Sequence, residues 1–411
     1  MTMHAYVIAV FAAVYAGMAL GRWPGLRLDR TGIALLGALA LYAGTSVTGP
    51  DVLAAIDFPT LFILFGLMIL SAQFAACGFY DWTAQRLASS DASPAKILGF
   101  VILTGGGLSA ILANDVVVFA MTPMLCAGLL RRGLDPRPYL IGLAGAANAG
   151  SAATVIGNPQ NVLIGQVGDL DFWRFLAACA VPALIGLAAV YGTIWIAWRQ
   201  RFALPRAGVS GSPPAPQPLD RWSLGKGVVA VVVLLGLFLS PVAQAHAVLL
   251  VAGFLLVSRR LATRQILSLV DWHLLVLFAA LFVVTAAFAA TGIPADLLAR
   301  AADAGDGIGI AIISPLTLAG SNTIGNVPLV MLVLQAMPHL DADTLYALAV
   351  FSTLAGNLFL VGSFANLIVV ERAAAAGVKL SFADHARCGV PMTLLSFLGA
   401  GAWFWVAGAA F

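Results

Sequence analysis

The chain contains little charge and few of the residues that enzyme active sites use. Only 9% of its 411 residues are charged, against about 25% in an ordinary soluble domain. Glu371 is the single glutamate, and the sequence has neither an HExxH nor a Walker A motif, which argues against a metalloprotease or an ATP-hydrolysing subunit. The four cysteines are isolated, without CxxC spacing, so neither a disulfide framework nor a structural zinc site is indicated. We therefore expect that the protein is not an enzyme and that it binds no cofactor.

Apolar residues are abundant instead, at 61% of the chain. A helix needs roughly 20 such residues in a row to cross a bilayer. Stretches of this kind predict ten spans, at residues 4–22, 31–48, 58–78, 139–165, 172–198, 226–241, 243–258, 270–292, 344–369 and 388–410. No basic residue precedes the first stretch, which is therefore read as a retained span and not a signal peptide. The expected fold class is an all-α polytopic membrane protein.

Two longer segments, residues 95–130 and 307–337, carry their polar residues in the middle, and each predicts a re-entrant hairpin. If neither hairpin crosses the membrane and the N-terminus is outside, 19 of the 21 basic residues face the cytoplasm. Only Arg174 and Arg300 are then outside. We expect a protein of a prokaryotic inner membrane with both termini outside. The net charge of +3 then reflects orientation in the membrane, and no nucleic-acid partner is indicated.

The chain also contains an internal repeat. The sequence FAACG at residues 74–78 recurs as FAATG at 288–292, Asp115 corresponds to Asn326, and GNPQN at 157–161 corresponds to GSFAN at 362–366. We predict a first repeat at residues 1–198 with hairpin 95–130, a cytoplasmic linker at 199–226, and a second repeat at 227–411 with hairpin 307–337. Each repeat has five spans and one hairpin. This odd number of crossings inverts the second repeat, an arrangement typical of secondary transporters.

All eight asparagines lie in two windows, residues 114–161 and 322–366, within sequence apolar enough for a bilayer. Burying an amide is costly unless it is hydrogen-bonded. Their placement therefore predicts a polar cavity near the middle of the membrane and favours a transporter. A channel would be expected to show repeated filter sequences or rings of charge, which two non-identical hairpins do not provide.

Asp115 is the only one of 18 carboxylates that this topology places deep in the membrane. A charge there costs about 2.5 to 3.5 kcal/mol, and intramembrane acids usually mark ion or proton pathways. The alternative is a buried cap of the hairpin turn. We predict a coupling site at Asp115, Asn114 and Asn326, for a proton if the carboxyl is neutral. Na⁺ would instead be held near Asn114, Asp115, Asn322 and Thr323.

The GNPQN sequence should break a helix, because proline removes a backbone hydrogen bond and disfavours helical geometry at the residue before it. The break would expose a half-helix N-terminus for an anion and free carbonyls for a cation. GSFAN lacks the proline and argues less strongly for a break. The predicted substrate site comprises Gly157, Asn158, Pro159, Gln160, Asn161, Ser321, Asn322, Thr323, Gly362, Ser363 and Asn366. Simple kinks, and hydrogen bonds between helices at residues 321–323, are the structural alternatives.

These motifs resemble the ion transporter superfamily, which contains arsenite permeases, divalent anion:sodium symporters, citrate carriers and a group of Na⁺/H⁺ antiporters. Residues 112–123 (LANDVVVFAMTP) resemble the first hairpin of arsenite permeases, and residues 325–328 (GNVP) resemble their second. Residues 321–323 (SNT) resemble a hairpin tip of the dicarboxylate symporters, which carry that sequence in both hairpins. The resemblance implies a scaffold and a mobile unit bearing both hairpins and both broken helices, often in a homodimer, with elevator-like movement.

For function, the lone Asp115 and the first hairpin favour a proton-linked permease for a small oxyanion or an arsenite-like solute. An arsenite pump would need a separate ATPase subunit. The alternatives are a Na⁺-coupled di- or tricarboxylate symporter, which the SNT sequence favours, and a Na⁺/H⁺ antiporter. No intramembrane Arg or Lys is predicted to pair with a polyanion, which disfavours citrate-like trianions.

Overall fold

The computed structural model describes residues 3–21, 23, 25–88, 90–200, 202, 218–293, 309–337 and 340–407. Residues 203–217 of the predicted linker and Arg300 fall outside these ranges. The first half of the chain forms α1 (Met3–Leu20), α2 (Arg30–Gly44), α3 (Gly49–Ala55), α4 (Phe58–Ala76), α5 (Phe79–Ala88), α6 (Pro94–Ser109), α7 (Asn114–Arg131), α8 (Pro136–Ser151), α9 (Pro159–Val167) and α10 (Phe172–Trp198).

The second half of the described chain also contains long, short and interrupted helices. Its helices are α11 (Arg221–Leu237), α12 (Gln244–Leu256), α13 (Thr263–Leu267), α14 (Trp272–Ala289), α15 (Ile310–Thr323), α16 (Asn326–Ala336), α17 (Ala342–Ala355), α18 (Phe364–Ala375) and α19 (Phe382–Ala407). Within the described residues, α1, α4, α7, α10, α14 and α19 are long and apolar enough to cross a membrane. The prediction of a helical, multi-pass membrane protein is confirmed.

Two of the ten predicted spans are interrupted. Residues 139–165 form α8 and α9, separated by irregular backbone at 152–158, and residues 344–369 form α17 and α18, separated by a 3-10 turn at Leu360–Gly362. The two predicted hairpin segments each form a pair of helices in contact, α6 with α7 and α15 with α16. The polar backbone groups at the two interruptions, and in the turns of the two helix pairs, therefore need hydrogen-bond partners from nearby protein groups or from a solute.

Aspartates at helix starts account for many of the carboxylates. Seven of them cap a helix by accepting a backbone N–H of its first turn, as short polar side chains do at this position; they are Asp29, Asp57, Asp135, Asp171, Asp220, Asp271 and Asp341. Asp115 has no such role, since it lies inside α7 and the N-cap of that helix is Ala113.

The helices form two groups, and each group takes elements from both halves. In the first, α1 and α2 pack with α14, and α4 packs with α11 and α12. In the second, α8 packs with α6, α7, α10 and α18, while α17 packs with α15 and α10 packs with α19. Helices α9 and α16 lie between the groups, because α9 contacts α4 and α17, and α16 contacts α14 and α15.

The core of the second group is formed by α8 and α17, which are buried along nearly their whole length. Small residues on α8 allow close packing, the usual solution between helices in membranes. A side chain at Gly150 would collide with the backbone of Gly106 in α6. The two interrupted segments thus start from the most enclosed part of the molecule.

Candidate functional site

Two cavities meet at the interruptions. The larger has a volume of about 590 Å³ and lies between α4, α7, α14 and the loop before α9. The smaller, of about 30 Å³, lies where α7, α9, α16 and α18 begin. Asn114, Asp115 and Pro159 line both cavities, so these residues connect the two spaces.

Four helix N-termini converge on the smaller cavity. Its lining includes the first residues of α7 (Asn114), α9 (Pro159), α16 (Asn326) and α18 (Phe364). Each helix N-terminus carries unsatisfied N–H groups and about half a positive charge. Helices α7 and α16 have no side-chain cap among the described residues. The arrangement suits a solute with negative or acceptor oxygens.

Asn114 and Asp115 have polar groups directed at no protein partner. Asn114 is only 6% exposed, yet its side chain makes no hydrogen bond to any described residue. Asp115 is half-buried, and its carboxylate likewise forms no hydrogen bond or ion pair within the described part of the chain. Together the two side chains offer an unused amide and an unused carboxylate to the cavities.

The first interruption is held in place by its own amides. The Asn158 side chain accepts from Asn161 N at 2.9 Å and so caps α9, while its Nδ2 donates to Ser151 Oγ at 3.1 Å. Asn158 Nδ2 and Gln160 Nε2 each lie 3.2 Å from Thr353 Oγ1 of α17, in the other half of the chain. Asn158 and Gln160 each line one of the cavities, whereas Asn161 lines neither.

The second interruption is organised in the same way. Ser363 caps α18 by accepting from Ala365 N, and its Oγ donates to Asn148 Oδ1 of α8 at 2.9 Å. Asn148 Nδ2 donates to Asn357 Oδ1 at 2.8 Å and to Asn366 Oδ1 at 3.3 Å. The helix is interrupted in this half without a proline, and cross-half hydrogen bonds between side chains tie the interruption to α8. Gly362 and Ser363 line the smaller cavity, and Asn366 does not.

The residues of the SNT sequence, 321–323, lie outside both cavities. Ser321 Oγ donates to Ser352 O at 3.4 Å, and Thr323 is exposed. Asn322 Nδ2 donates to Ala355 O at 2.9 Å, and its Oδ1 has no partner among the described residues. These contacts fit hydrogen bonding between helices, which was the structural alternative for this segment.

Of the four residues considered for a cation, Asn114 and Asp115 line both of these cavities, whereas Asn322 and Thr323 line neither. Within the described residues, no group of three His, Cys, Asp or Glu side chains could hold a metal ion. Asn326, the third predicted coupling residue, does line the smaller cavity with Asn114 and Asp115.

Two arginines line the cavities although the sequence places them in loops. Arg30, the first residue of α2, lines the smaller cavity and lies over the Phe364 ring at 5.1 Å. Arg372, in the last turn of α18, lines the larger cavity and lies over the Phe119 ring at 4.1 Å. From the sequence we expect no intramembrane Arg or Lys to pair with a polyanion, yet Arg30 lines the smaller cavity beside Asp115. Arg30 begins α2 and closely follows other basic residues, so from the sequence it is counted as a residue of a cytoplasmic loop and not as a cavity residue.

The other polar residues of the larger cavity mark one end of the molecule. Asp81, Gln265, Ser268 and Asp271 line it together with Arg372. All five belong to segments, or helix ends, that the basic-residue count assigns to the cytoplasmic side. The larger cavity thus leads from Asp115 toward the end of the molecule that is rich in Lys and Arg.

The family model described as Citrate transporter (CitMHS) matches residues 7–350. The chain belongs to this family. Its relatives include an uncharacterized transporter of Mycobacterium tuberculosis, 30% identical over 98% of this chain and 99% of the relative. Another is the silicon efflux transporter of Oryza sativa subsp. japonica, 28% identical over 95% of this chain and 93% of the relative. The protein is therefore a membrane transporter, and the resemblance to the ion transporter superfamily is confirmed, since this family is a member.

A solved structure, the Alcanivorax borkumensis YdaH transporter, has the same fold. It matches with a TM-score of 0.56 and 14% identity, over 100% of this chain and 99% of that one. At this identity the likeness concerns the fold alone. For this CitMHS protein it supports a helical transporter architecture.

Proposed function

We propose that this transporter moves a small inorganic oxyanion or arsenite-like oxyacid, coupled to protons through Asp115. The observation that carries the proposal is the place of Asp115, whose unpartnered carboxylate lines both cavities beside four helix N-termini. A carboxyl group at such a place can exchange its proton with the larger cavity while it faces a solute in the smaller one. The name of the rice relative, a silicon efflux transporter, is consistent with a small oxygen-rich solute.

Alternating access in this proposal is a displacement of the second helix group against the first. The ordered correspondence of α1–α10 with α11–α19 supports two repeats, 1–198 and 227–411, of opposite orientation. Both helix pairs proposed as re-entrant hairpins and both interruptions adjoin the second group, as an elevator-like movement requires. Tyr15 Oη donates to Pro328 O at 3.2 Å between α1 and α16, a contact that such a movement would break. A cytoplasmic linker, external termini and a homodimer belong to the same proposal.

Di- or tricarboxylate transport with Na⁺ is the second candidate, because the matching family model is described as Citrate transporter. Three features weigh against it. The SNT residues lie outside the cavities, the four residues considered for Na⁺ do not share one, and the larger cavity carries three aspartates, Asp81, Asp115 and Asp271, against one arginine. A Na⁺/H⁺ antiporter would need only Asp115. The two helix interruptions would then have no solute to bind.

The test is flux into reconstituted vesicles. Arsenite, phosphate, sulfate, succinate and citrate are each offered under an imposed pH gradient and, separately, under an imposed Na⁺ gradient. We expect movement of arsenite or an inorganic oxyanion that the pH gradient drives without Na⁺. Carboxylate flux that requires Na⁺ would overturn the proposal in favour of the symporter. Proton movement driven by Na⁺ without any of the five solutes would indicate the antiporter.

A further inference from the structure

The two cavity arginines share an unusual property. In each, the Nε atom is buried and has no hydrogen-bond partner among the described residues. Each guanidinium also lies over a phenylalanine ring, a contact that holds the group in place and leaves its N–H edge free for oxygen acceptors. Arg30 and Arg372 differ in their surroundings, and that difference decides which of them can serve a bound solute.

Arg372 shares the larger cavity with Asp81, Asp115 and Asp271. An anion there meets an excess of negative charge. Arg30 lies in the smaller cavity, whose only other formally charged lining residue, among those described, is Asp115. With Asp115 protonated, that cavity has one positive charge and four helix N-termini, so an anion is favoured there.

The position of Arg30 is fixed from the first helix group. Asp29 caps α2 by accepting Gly32 N at 2.8 Å, and Thr31 Oγ1 donates to His273 O of α14 at 3.3 Å. The guanidinium then reaches Phe364 at the start of α18 in the second group. Arg30 therefore lies where the two groups meet, in the same cavity lining as Asp115.

The size of the smaller cavity limits what Arg30 can hold. At about 30 Å³ it is far smaller than the larger cavity of about 590 Å³, so it suits a compact solute with one central atom better than an acid of several carbons. A planar guanidinium binds two oxygens of one centre in parallel, the geometry of phosphate-like groups. Asn326 Oδ1, in a residue of the same lining, is a second buried atom without a partner in the described chain. A solute with both acceptor oxygens and hydroxyl groups would satisfy both side chains.

We propose that Arg30 binds the oxygens of a single-centre oxyanion or oxyacid in the smaller cavity and sets selectivity for such solutes over di- and tricarboxylates. This inference rests on the proposed function, since it names the group that recognises the same solute. Arg30 is then a substrate-binding residue, which the sequence alone does not reveal.

The experiment compares the wild-type protein with Arg30→Gln, Arg30→Lys and Arg260→Gln in reconstituted vesicles. Arg260 is an exposed arginine paired with Asp220 at 3.1 Å that lines neither cavity, and it controls for loss of a positive charge. Initial rates are measured with arsenite, phosphate and sulfate, and succinate serves as the carboxylate probe. Elution profile and thermal unfolding midpoint show whether each variant is folded.

We expect Arg30→Gln to raise the KM for the transported oxyanion at least tenfold, and Arg30→Lys to raise it less because the charge remains. Arg260→Gln should keep the wild-type KM. The ratio of oxyanion to succinate transport should fall with Arg30→Gln. A purely structural role would lower the maximal rate through loss of folded protein and leave KM unchanged. If Arg30→Gln does not fold, a KM for Arg30→Lys within twofold of wild type overturns the inference.

Failure of the two proposals can be told apart. Wild-type protein that moves none of the three oxyanions under a pH gradient overturns the proposed function and, with it, the role of Arg30. Wild-type protein that moves one of them, with an unchanged KM in folded Arg30→Gln, leaves the proposed function standing and overturns the role of Arg30 alone.

Discussion

Asn161 and Asn366 make the same pair of hydrogen bonds in the two halves of the chain. Asn161 Nδ2 donates to the carbonyl oxygens of Ser151 and Thr154, at 3.2 and 3.0 Å. Asn366 Nδ2 donates to the carbonyl oxygens of Gly356 and Phe359, at 2.8 and 3.1 Å. In both halves the acceptors lie ten and seven residues before the asparagine. One amide thus closes each interruption onto the end of the preceding helix.

Because each amide donates to two buried carbonyl oxygens, replacing it should destabilise the fold without removing a contact between the protein and the solute. We expect Asn161→Ala and Asn366→Ala each to lower the free energy of unfolding by about 2 kcal/mol, through acceptors left without partners. Thermal unfolding of purified protein measures this change. Gln166→Ala, which removes only a long 3.5 Å contact to Gln244, is the control and should lie within about 0.5 kcal/mol of wild type. If the two asparagines have equivalent roles, Asn161→Ala and Asn366→Ala should lower the free energy of unfolding by similar amounts.

Asp115→Asn should abolish the dependence of transport on pH. The amide keeps the shape of the carboxyl but cannot release a proton, so net flux driven by a pH gradient should fall to background, while exchange of labelled for unlabelled solute persists. Asp341→Asn is the matched control: Asp341 lines neither cavity and caps α17, and asparagine caps a helix equally well. Unchanged pH dependence in Asp115→Asn would remove the proton-carrier role.

Gly157 tests the tightness of the first interruption. A β-carbon there would collide with the carbonyl oxygen of Ser151, a backbone atom that cannot move aside easily. Gly157→Ala should therefore cost about 1 to 3 kcal/mol of stability and reduce transport. Gly192→Ala is the control, since no atom lies within 4 Å of its β-carbon inside α10, and alanine there should stabilise by about 0.5 to 1 kcal/mol. Equal unfolding midpoints for the two variants would contradict this packing.

The direction in which the larger cavity opens can be tested with single cysteines. Ser268 is exposed at the polar end of that cavity, and Ala54 is exposed on α3, in a loop that the basic-residue count places outside. A membrane-impermeant thiol reagent should label Ser268→Cys from the cytoplasmic side only and Ala54→Cys from the external side only. The native cysteines are buried and should give little background. Labelling of Ser268→Cys from the external side and of Ala54→Cys from the cytoplasmic side would contradict the proposed topology.

The helices could largely be predicted from the sequence because apolar length and helix-breaking residues act locally. Residues 172–198 were predicted as one span, and α10 has those bounds. The break at Asn158 followed from Pro159. Near Ser363 there is no proline, and Ser363 Oγ donates instead to Asn148 Oδ1, 215 residues away, a contact that no local pattern expresses.

The site was predicted less completely than the helices. The asparagines were correctly associated with the interruptions, but an amide that lines a cavity and one that bonds backbone look alike in sequence, so Asn161 and Asn366 were predicted to bind a solute although they line neither cavity. Arg30 was counted as a loop residue because its approach to Phe364, 334 residues away, depends on tertiary packing such as that of α2 against α14. Neither distinction can be made before the two halves are brought together.

The reciprocal bonds between the halves also bear on biosynthesis. Among the described residues, the Gln160 side chain bonds only to Thr353, and the Asn148 side chain bonds only to Asn357, Ser363 and Asn366. While the ribosome is still making the second half, these amides of the inserted first half have none of these partners within a bilayer. We therefore expect the side chains of Asn148 and Gln160 to contact water or an insertion factor until the last quarter of the chain has been synthesised and inserted.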